Sequence, residues 1–306
     1  MKSIDIVAIG SCYLDINATD FPFTADGIPA QAELVGGGYE LVPGGSAVNF
    51  CRLLQSLGQR TAFIGMAGDD QFAEILNNLL TEQKVQPFLV RKQGLLTNIS
   101  FNLTGAGESH VMLVAGTASA SLTPDVVLPK LHAVVADAEL LYLGGCFKLK
   151  SFYPAFSEVA KLAKQQGTKL VVDHGRVPKD VANDMLEAVR NLVTQSDYYL
   201  PSREEFLGVW NFSDIEEGLR TLRQRAPQLT VVVKDGAKGA WFLDGDTTKQ
   251  AKPDIIEKPV RLTGAGDSFN AGLIAALRTK RALPDAIAAA HKVAGTYISG
   301  RDVTAG

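Results

Sequence analysis

The sequence predicts an α/β fold: a mostly parallel central sheet with helices on both faces and a small second sheet beside it. Three observations carry this expectation. Short, continuously apolar runs alternate with helical patterns along most of the chain, which implies crossover connections and strands buried on both faces. Two stretches break that alternation and read as half-exposed strands. Hydrophobic residues make up 46% and charged residues 21% of the chain, enough for a sizeable core.

In chain order, "IDIVAI", "TAFIGM", "ELLYL", "KLVVD", "DYYL", "LTVVV" and "AWFL" are the strand candidates. Helical spacing covers residues 46–57, 71–83, 152–166, 179–193 and 214–226 between them. A further helix is predicted to begin near Gly266, because Phe269, Leu273, Ile274 and Leu277 share one face. Residues 13–40 are rich in turn formers, and residues 97–114 alternate apolar and polar around a glycine-rich turn. These two stretches are expected to form a small lid. No internal repeat or low-complexity linker divides the chain. At 306 residues it is large for one core, yet α/β enzymes reach this size, so residues 1–306 are expected to form one domain carrying the lid.

The net charge of −3 excludes a broad basic footprint for nucleic acid and a polybasic membrane anchor. Any anionic ligand must be held by local devices. Cys12, Cys51 and Cys146 are odd in number, far apart and form no C-x-x-C, which fits a reducing compartment. The N-terminal "IDIVAIG" is short and contains Asp5, unlike a signal peptide. No apolar run approaches the ~18 residues that span a bilayer. A cytoplasmic protein with no nucleic-acid or membrane partner is expected.

Ligands of open parallel sheets bind at the carboxyl ends of the strands, and several motifs fall there. In "RLTGAGDSFNAG" (261–272), Gly264, Ala265 and Gly266 bring bare backbone N–H groups to the positive end of a helix dipole, an arrangement suited to phosphate. Asp267 follows in the first turn, where it is expected to stay ionised. The same residues also serve as ordinary helix-start punctuation. In "PGGSAVNF" (43–50), Gly44 and Gly45 permit close backbone approach to a ligand, Ser46 suits a helix cap, and Asn49 lies one turn inside. "KDGAKGAW" (234–241) fits either a ligand loop or a hairpin turn. "GSCYLDIN" (10–17) sets Asp15 past the first strand, in the region for a substrate hydroxyl. Neither G-x-x-x-x-G-K-[ST] nor G-x-G-x-x-G occurs, which weakens the common nucleotide-site alternatives.

Taken together and in this order, these motifs resemble the ribokinase-like (phosphofructokinase B) family of carbohydrate and nucleoside kinases. The resemblance runs from "GSCYLD" through "PGGSAVN", "GMAGDD", the lid hairpin, "PSREEF" and "KDGAKGAW" to "TGAGDSFNAG". It implies a ribokinase-like three-layer fold with a β-sheet lid, and transfer of the γ-phosphoryl group of ATP to a hydroxyl with Mg²⁺ on the nucleotide. By matching position, Asp267 falls on the catalytic base and Gly264, Ala265 and Gly266 on the anion hole. Asp15, Gly44, Gly45 and Asn49 fall where the family binds sugar hydroxyls. Lys234, Gly236 and Gly239 match a stretch along the nucleotide, and His291 matches a position near the adenine. Glu205 matches an acid that influences Mg²⁺, with Ser202 in place of the usual Asn; its hydroxyl can still bond a metal-bound water. The "GDD" of 68–70 recurs in the family, yet an acidic cap for the next helix is the preferred explanation.

One departure concerns Arg261. Many members carry an acid there that helps hold a monovalent cation, and the C-terminal R-x-G-A part of that site is here "SGRDVTAG". A monovalent cation is therefore not expected, and the Arg261 guanidinium is expected to take its place behind the 263–266 turn; the alternative is that it points to solvent. Tyr13 stands where ribose-type members place a polar residue, suited to stacking on a sugar face or a base, or equally to packing under the lid. Arg176 and Lys148 suit an acid or phosphate on the substrate, or are solvated surface charge. Phe101 and His110 are lid residues expected to reach the pocket. Sugar and nucleoside acceptors both stay open, as does a non-catalytic sugar- or nucleotide-binding relative. An oxidoreductase of Rossmann type is the reading from another class, disfavoured by the missing glycine fingerprint. Exposed lid edges suit a lid-mediated homodimer.

Overall fold

The computed structural model describes residues 4–24, 33–105, 109–256, 259–261 and 263–304. In chain order the strands of the large sheet are β1 (Ile6–Ile9), β4 (Thr61–Gly68), β5 (Gln86–Lys92), β8 (Leu140–Gly144), β9 (Lys169–Asp173), β10 (Tyr198–Tyr199), β11 (Thr230–Lys234), β12 (Ala240–Asp244) and β13 (Thr247–Ala251). Those of the small sheet are β2 (Tyr13–Phe21), β3 (Gly38–Gly44), β6 (Ile99–Gly105) and β7 (His110–Ala115). The helices are α1 (Ser46–Ser56), α2 (Gln71–Glu82), α3 (Pro124–Val135), α4 (Phe156–Gln165), α5 (Asn183–Thr194), α6 (Arg203–Trp210), α7 (Ile215–Arg225), α8 (Ala265–Arg278) and α9 (Leu283–Ile298).

The large sheet runs β13-β12-β11-β10-β9-β8-β1-β4-β5. It is parallel from β11 to β5, and β12 is antiparallel to both β11 and β13. All seven strand candidates are strands. Alternation along β1 feeds two cores: Val7 and Ile9 pack with α3 to α7, while Ile6 and Ala8 pack with α1, α2, α8 and α9. This is the three-layer arrangement that continuous apolar strands require. The chain leaves β1 toward β4 on one side and reaches β8 on the other, so the topological switch point lies at the ends of β1 and β8. The start of α1 sits there: a Cβ on Gly10 would meet the Ala47 Cβ and, at 3.0 Å, the carbonyl of Gly144.

The small sheet has the order β3-β2-β6-β7, parallel only between β2 and β6. Strand register separates its faces. Ile16, Leu41, Phe101 and Leu113 align on one face with Ala18, Tyr39, Leu103 and Val111. Asp15, Ser100, Asn17, Asn102 and Glu40 align on the other. The expected 97–114 hairpin is thus β6 and β7, and much of the 13–40 stretch supplies β2 and β3; residues 25–32 lie outside the described ones.

Helix α3 escaped the spacing pattern because Pro129 interrupts it. Strand β5 escaped because Pro87 opens a run that is only half-buried. Asp70 caps α2 by accepting from Ala73 N, as the acidic cap reading of "GDD" requires.

Candidate active site

Two helix starts meet at the switch point, and each is shaped by glycine. Gly45 has φ of 104° and a Cβ there would overlap the carbonyl of Ser11, so only glycine lets the chain turn into α1. A Cβ on Gly44 would overlap the Asp15 carboxylate. The close approach expected at this glycine pair is therefore made by the protein's own Asp15, which lies past the end of β1, as expected, and within β2. Helix α1 packs on α8, whose N-cap is Gly264 in the left-handed region at φ 85°.

Ser46 does not cap α1; that expectation is corrected here. Gly45 occupies the cap position without a side-chain bond, and the Ser46 hydroxyl instead donates to Asp267 Oδ1 at 2.5 Å. One turn on, Asn49 Nδ2 donates to Asp267 Oδ2 at 3.0 Å. Positions three apart share a helix face, so the first turn of α1 grips both carboxylate oxygens. Burial pushes the Asp267 carboxyl up to about 6, against the Ser46 and Asn49 donors and with the Asp173 charge adding to the rise. Desolvation thus outweighs the helix dipole that alone would keep this acid fully ionised.

Behind Asp267 lies a buried polar triangle. Lys234 Nζ donates to Asp173 Oδ2 at 2.7 Å and to Asn270 Oδ1 at 3.0 Å, and Asn270 Nδ2 donates to Asp173 Oδ2 at 2.6 Å. Burial opposes the Asp173 charge, but the Lys234 ammonium holds its carboxyl below the usual range. Lys234 was expected along the nucleotide; its ammonium turns inward, 3.7 Å from where a Gly266 Cβ would stand. A positive charge therefore sits beneath the 264–266 turn, adding to the helix dipole.

Ser202 and Glu205 form a capping box at α6: the Ser202 hydroxyl accepts from Glu205 N, and Glu205 Oε2 accepts from Ser202 N at 2.7 Å. Both residues thus have a structural role that accounts for them, while Glu205 Oε1 takes no part in the box. Burial, then the Asp173 charge, raises the Glu205 carboxyl. Gly239, at φ 102°, is needed for the β11–β12 hairpin, since a Cβ would overlap the Ala251 carbonyl, whereas Gly236 faces open space. His291 on α9 lies 5.2 Å from the Phe269 ring, and its Nε2 is buried with no partner among the described residues.

On the acceptor side, burial pushes the Asp15 carboxyl up to about 6, against the nearby charges of Arg52 and Lys148. The Tyr13 ring is buried, with the Lys148 ammonium 4.9 Å above its centroid. It is therefore packed beneath a cation rather than presented as an open stacking platform. Asn17, Asn102 and Ser100 continue the Asp15 face: Asn102 donates to Asn17 and Ser100 to Asn102, while Asn17 donates to Glu40. Phe101 is corrected: its register sets it on the opposite, apolar face. His110 is exposed and aligns with Thr104, and Arg176 is exposed after β9. Arg261 is exposed, and its guanidinium lies 5.0 Å over the Tyr297 ring.

Sequence reading missed Asp173, Asn270 and Tyr297, and gave Ser46 only the role of a cap. Asp173 was within reach, being an acid at the carboxyl end of a recognised strand, and Asn270 lies one turn after Asp267. Tyr297 carries no signal of its own.

The profile of the "pfkB family carbohydrate kinase" matches residues 3–306. The chain belongs to the pfkB family. This pfkB carbohydrate kinase is 26% identical to a 5-dehydro-2-deoxygluconokinase of Photobacterium profundum, over 99% of this chain and 91% of the relative. Its fold is that of a putative ribokinase II from E. coli solved in complex with ATP and Mg²⁺, at a TM-score of 0.82 and 19% identity, covering 98% of this chain and 94% of that one. An adenosine kinase from Sinorhizobium meliloti is similar at a TM-score of 0.79 and 22% identity, over 100% and 97%. Membership of the pfkB family removes the oxidoreductase reading.

Proposed function

We propose that this pfkB kinase moves the γ-phosphoryl group of ATP to a hydroxyl of a sugar, with Asp267 as base and the 264–266 turn as anion hole. The observation that carries the reading is the Asp267 carboxylate, gripped through both oxygens by α1 at the mouth of a helix start opened by Gly264. The acceptor hydroxyl binds at this carboxylate, exchanging for or sharing one of its donors, and is thereby aimed at the phosphorus. In a loose transition state the alcohol loses its proton late, so a carboxylate near 6 suffices to receive it. Charge on the transferred group meets the N–H groups of Ala265 and Gly266 and the ammonium of Lys234 beneath them. His291 Nε2, buried without a partner, suits a hydrogen bond to the base of the nucleotide, and Gly236 leaves room along the β11–β12 turn.

Mg²⁺ fits as an ion held chiefly by the nucleotide, since no group of three or more His, Cys, Asp or Glu among the described residues makes a metal cage. Glu205, through Oε1 and with Ser202 beside it, would face its water shell; when bound, the ion supplies charge neutralisation on the phosphates. Asp15 binds a sugar hydroxyl, and the small sheet acts as the lid of a single domain. The polar row of Ser100, Asn17, Asn102 and Glu40 favours a polyhydroxylated acceptor over a base. Lys148 beside Asp15 suits a carboxylate on that acceptor, in keeping with the gluconate-type substrate named for the Photobacterium relative, and Arg176 stands ready at the rim. The three buried free thiols fit a cytoplasmic enzyme. With Arg261 at the usual acidic position, turnover needs no monovalent cation.

The test is ADP release with ATP and a panel of neutral sugars, sugar acids and nucleosides, each run in sodium and in potassium at equal ionic strength. Sugar acids should give the highest kcat/KM, with no potassium effect. Nucleosides winning the panel would overturn the sugar assignment, and a several-fold rise in potassium would overturn the cation statement. No acceptor-dependent ADP at all would overturn the reaction.

A further inference from the structure

We infer that Tyr297 is a positioning residue for the anion hole: its hydroxyl, with Arg261 stacked on its ring, sets the geometry of the 263–266 turn. The Tyr297 hydroxyl donates to the Thr263 carbonyl at 3.0 Å. That carbonyl belongs to the same peptide group as the Gly264 N–H, so a donor on the oxygen polarises the N–H and sharpens its positive end. The turn is moulded around this hydroxyl. A Cβ on Gly264 would lie 2.6 Å from it, and Gly264 also needs φ of 85°, so two independent constraints select glycine at this position.

The strand of chain entering the turn is tied to the same place. Val260 N and Arg261 N both donate to the Ile298 carbonyl, at 2.7 and 3.1 Å. Consecutive residues at the end of α9, Tyr297 and Ile298, therefore hold the turn and the chain before it. The Arg261 guanidinium, 5.0 Å from the Tyr297 ring centroid, gains from the ring face and from the negative end of α9. The catalytic turn is thus braced against a second helix rather than against α8 alone. Anion-hole donors act only if they stand within a few tenths of an ångström of the productive position.

This inference rests on the 264–266 turn being the anion hole, and the experiment separates the two. Tyr297→Phe keeps the ring and the stacking and removes only the hydroxyl. Its kcat should fall roughly tenfold, less than the loss of a direct donor, with KM for ATP and acceptor within about twofold and an unchanged melting temperature. Arg261→Ala should fall several-fold and Arg261→Lys should restore most of that loss. Backbone amide exchange, read without any substrate, should quicken at Ser268, the residue that closes the first turn of α8 onto the Gly264 carbonyl, and not in the rest of α8. Unchanged exchange at Ser268 overturns the brace whatever the activity. Unchanged kcat, or a loss confined to KM or tracking a fall in melting temperature, overturns the positioning role. A wild-type protein without acceptor-dependent ADP release overturns the reaction, while the exchange result still decides the brace.

Discussion

Asp267 shows how one carboxylate is tuned by opposing effects of similar size. Burial raises it, two donors from α1 lower it, and the balance leaves it at about 6. It stays ionised at neutral pH and is still basic enough to receive a proton from an alcohol that ionises late. Asp267→Asn should lower kcat by two or more orders of magnitude with little change in the KM for ATP; near-wild-type turnover would discard the mechanism. Ser46→Ala is the sharper probe. Removing a donor to the charged form raises the Asp267 carboxyl further, so the acid limb of kcat/KM should move to higher pH. The loss at pH 6 should then exceed the loss at pH 8, and an equal loss at both would show that Ser46 does not act through Asp267.

At the scale of elements, the site is a junction of helix starts. Helix α1 supplies Ser46 and Asn49, α8 supplies the turn and Asp267, and β2 brings Asp15 against Gly44. The glycine pair serves this junction by letting β3 run flush against the Asp15 side chain. Gly44→Ala should force the carboxylate aside, raise the acceptor KM about tenfold and leave the KM for ATP within twofold. The overpacking should cost roughly 1–3 kcal/mol of stability. An unchanged acceptor KM, measured in the same ADP-release assay, would remove Asp15 from the acceptor site.

Over the whole molecule, the buried titratable groups tie stability to pH. Asp15 and Asp267 have folded values near 6, above the ordinary aspartate value of 3.8, so between about pH 4 and 6 these two groups bind more protons in the folded state than in the unfolded chain. Stability contributed by these groups therefore falls as pH rises through that window. Asp5, held down to about 2 chiefly by Arg60, acts oppositely, and its contribution is lost only below about pH 4. His174, which burial holds down at about 4, also acts oppositely to the two aspartates over much of their window. Raising the pH from 5 to 7.5 should therefore change the melting temperature less favourably in the wild type than in the double variant Asp15→Asn, Asp267→Asn, and equal changes in the two would contradict the account. The apolar face of the small sheet, with Leu113 on β7 and Tyr39 on β3 more than half exposed, supports the proposal of a lid-mediated homodimer. Light scattering should give the mass of two chains for the wild type and one for a Phe101→Asp, Leu113→Asp variant. A wild-type monomer would end that proposal.

Much of this was legible in order along the chain. Alternating apolar runs determined the layered sheet, because a strand buried on both faces must be apolar throughout and a crossover must separate parallel neighbours. Glycine clusters and the acid after them marked the turn that opens α8, because backbone freedom beside a charge has few other uses. What each polar side chain touches was decided only by tertiary structure. Ser46 reads locally as a helix cap, yet it bonds Asp267 across 221 positions of sequence. Lys234 reads as a loop charge, yet Asp173 and Asn270 turn it inward. Arg261 reads as a charge beside the motif, yet it rests on a tyrosine at the end of α9. Hydrophobic periodicity is a property of neighbours along the chain, and so the sequence itself carries it. Hydrogen-bond partners and desolvation depend on which distant segments the sheet brings together, and those exist only once it has formed.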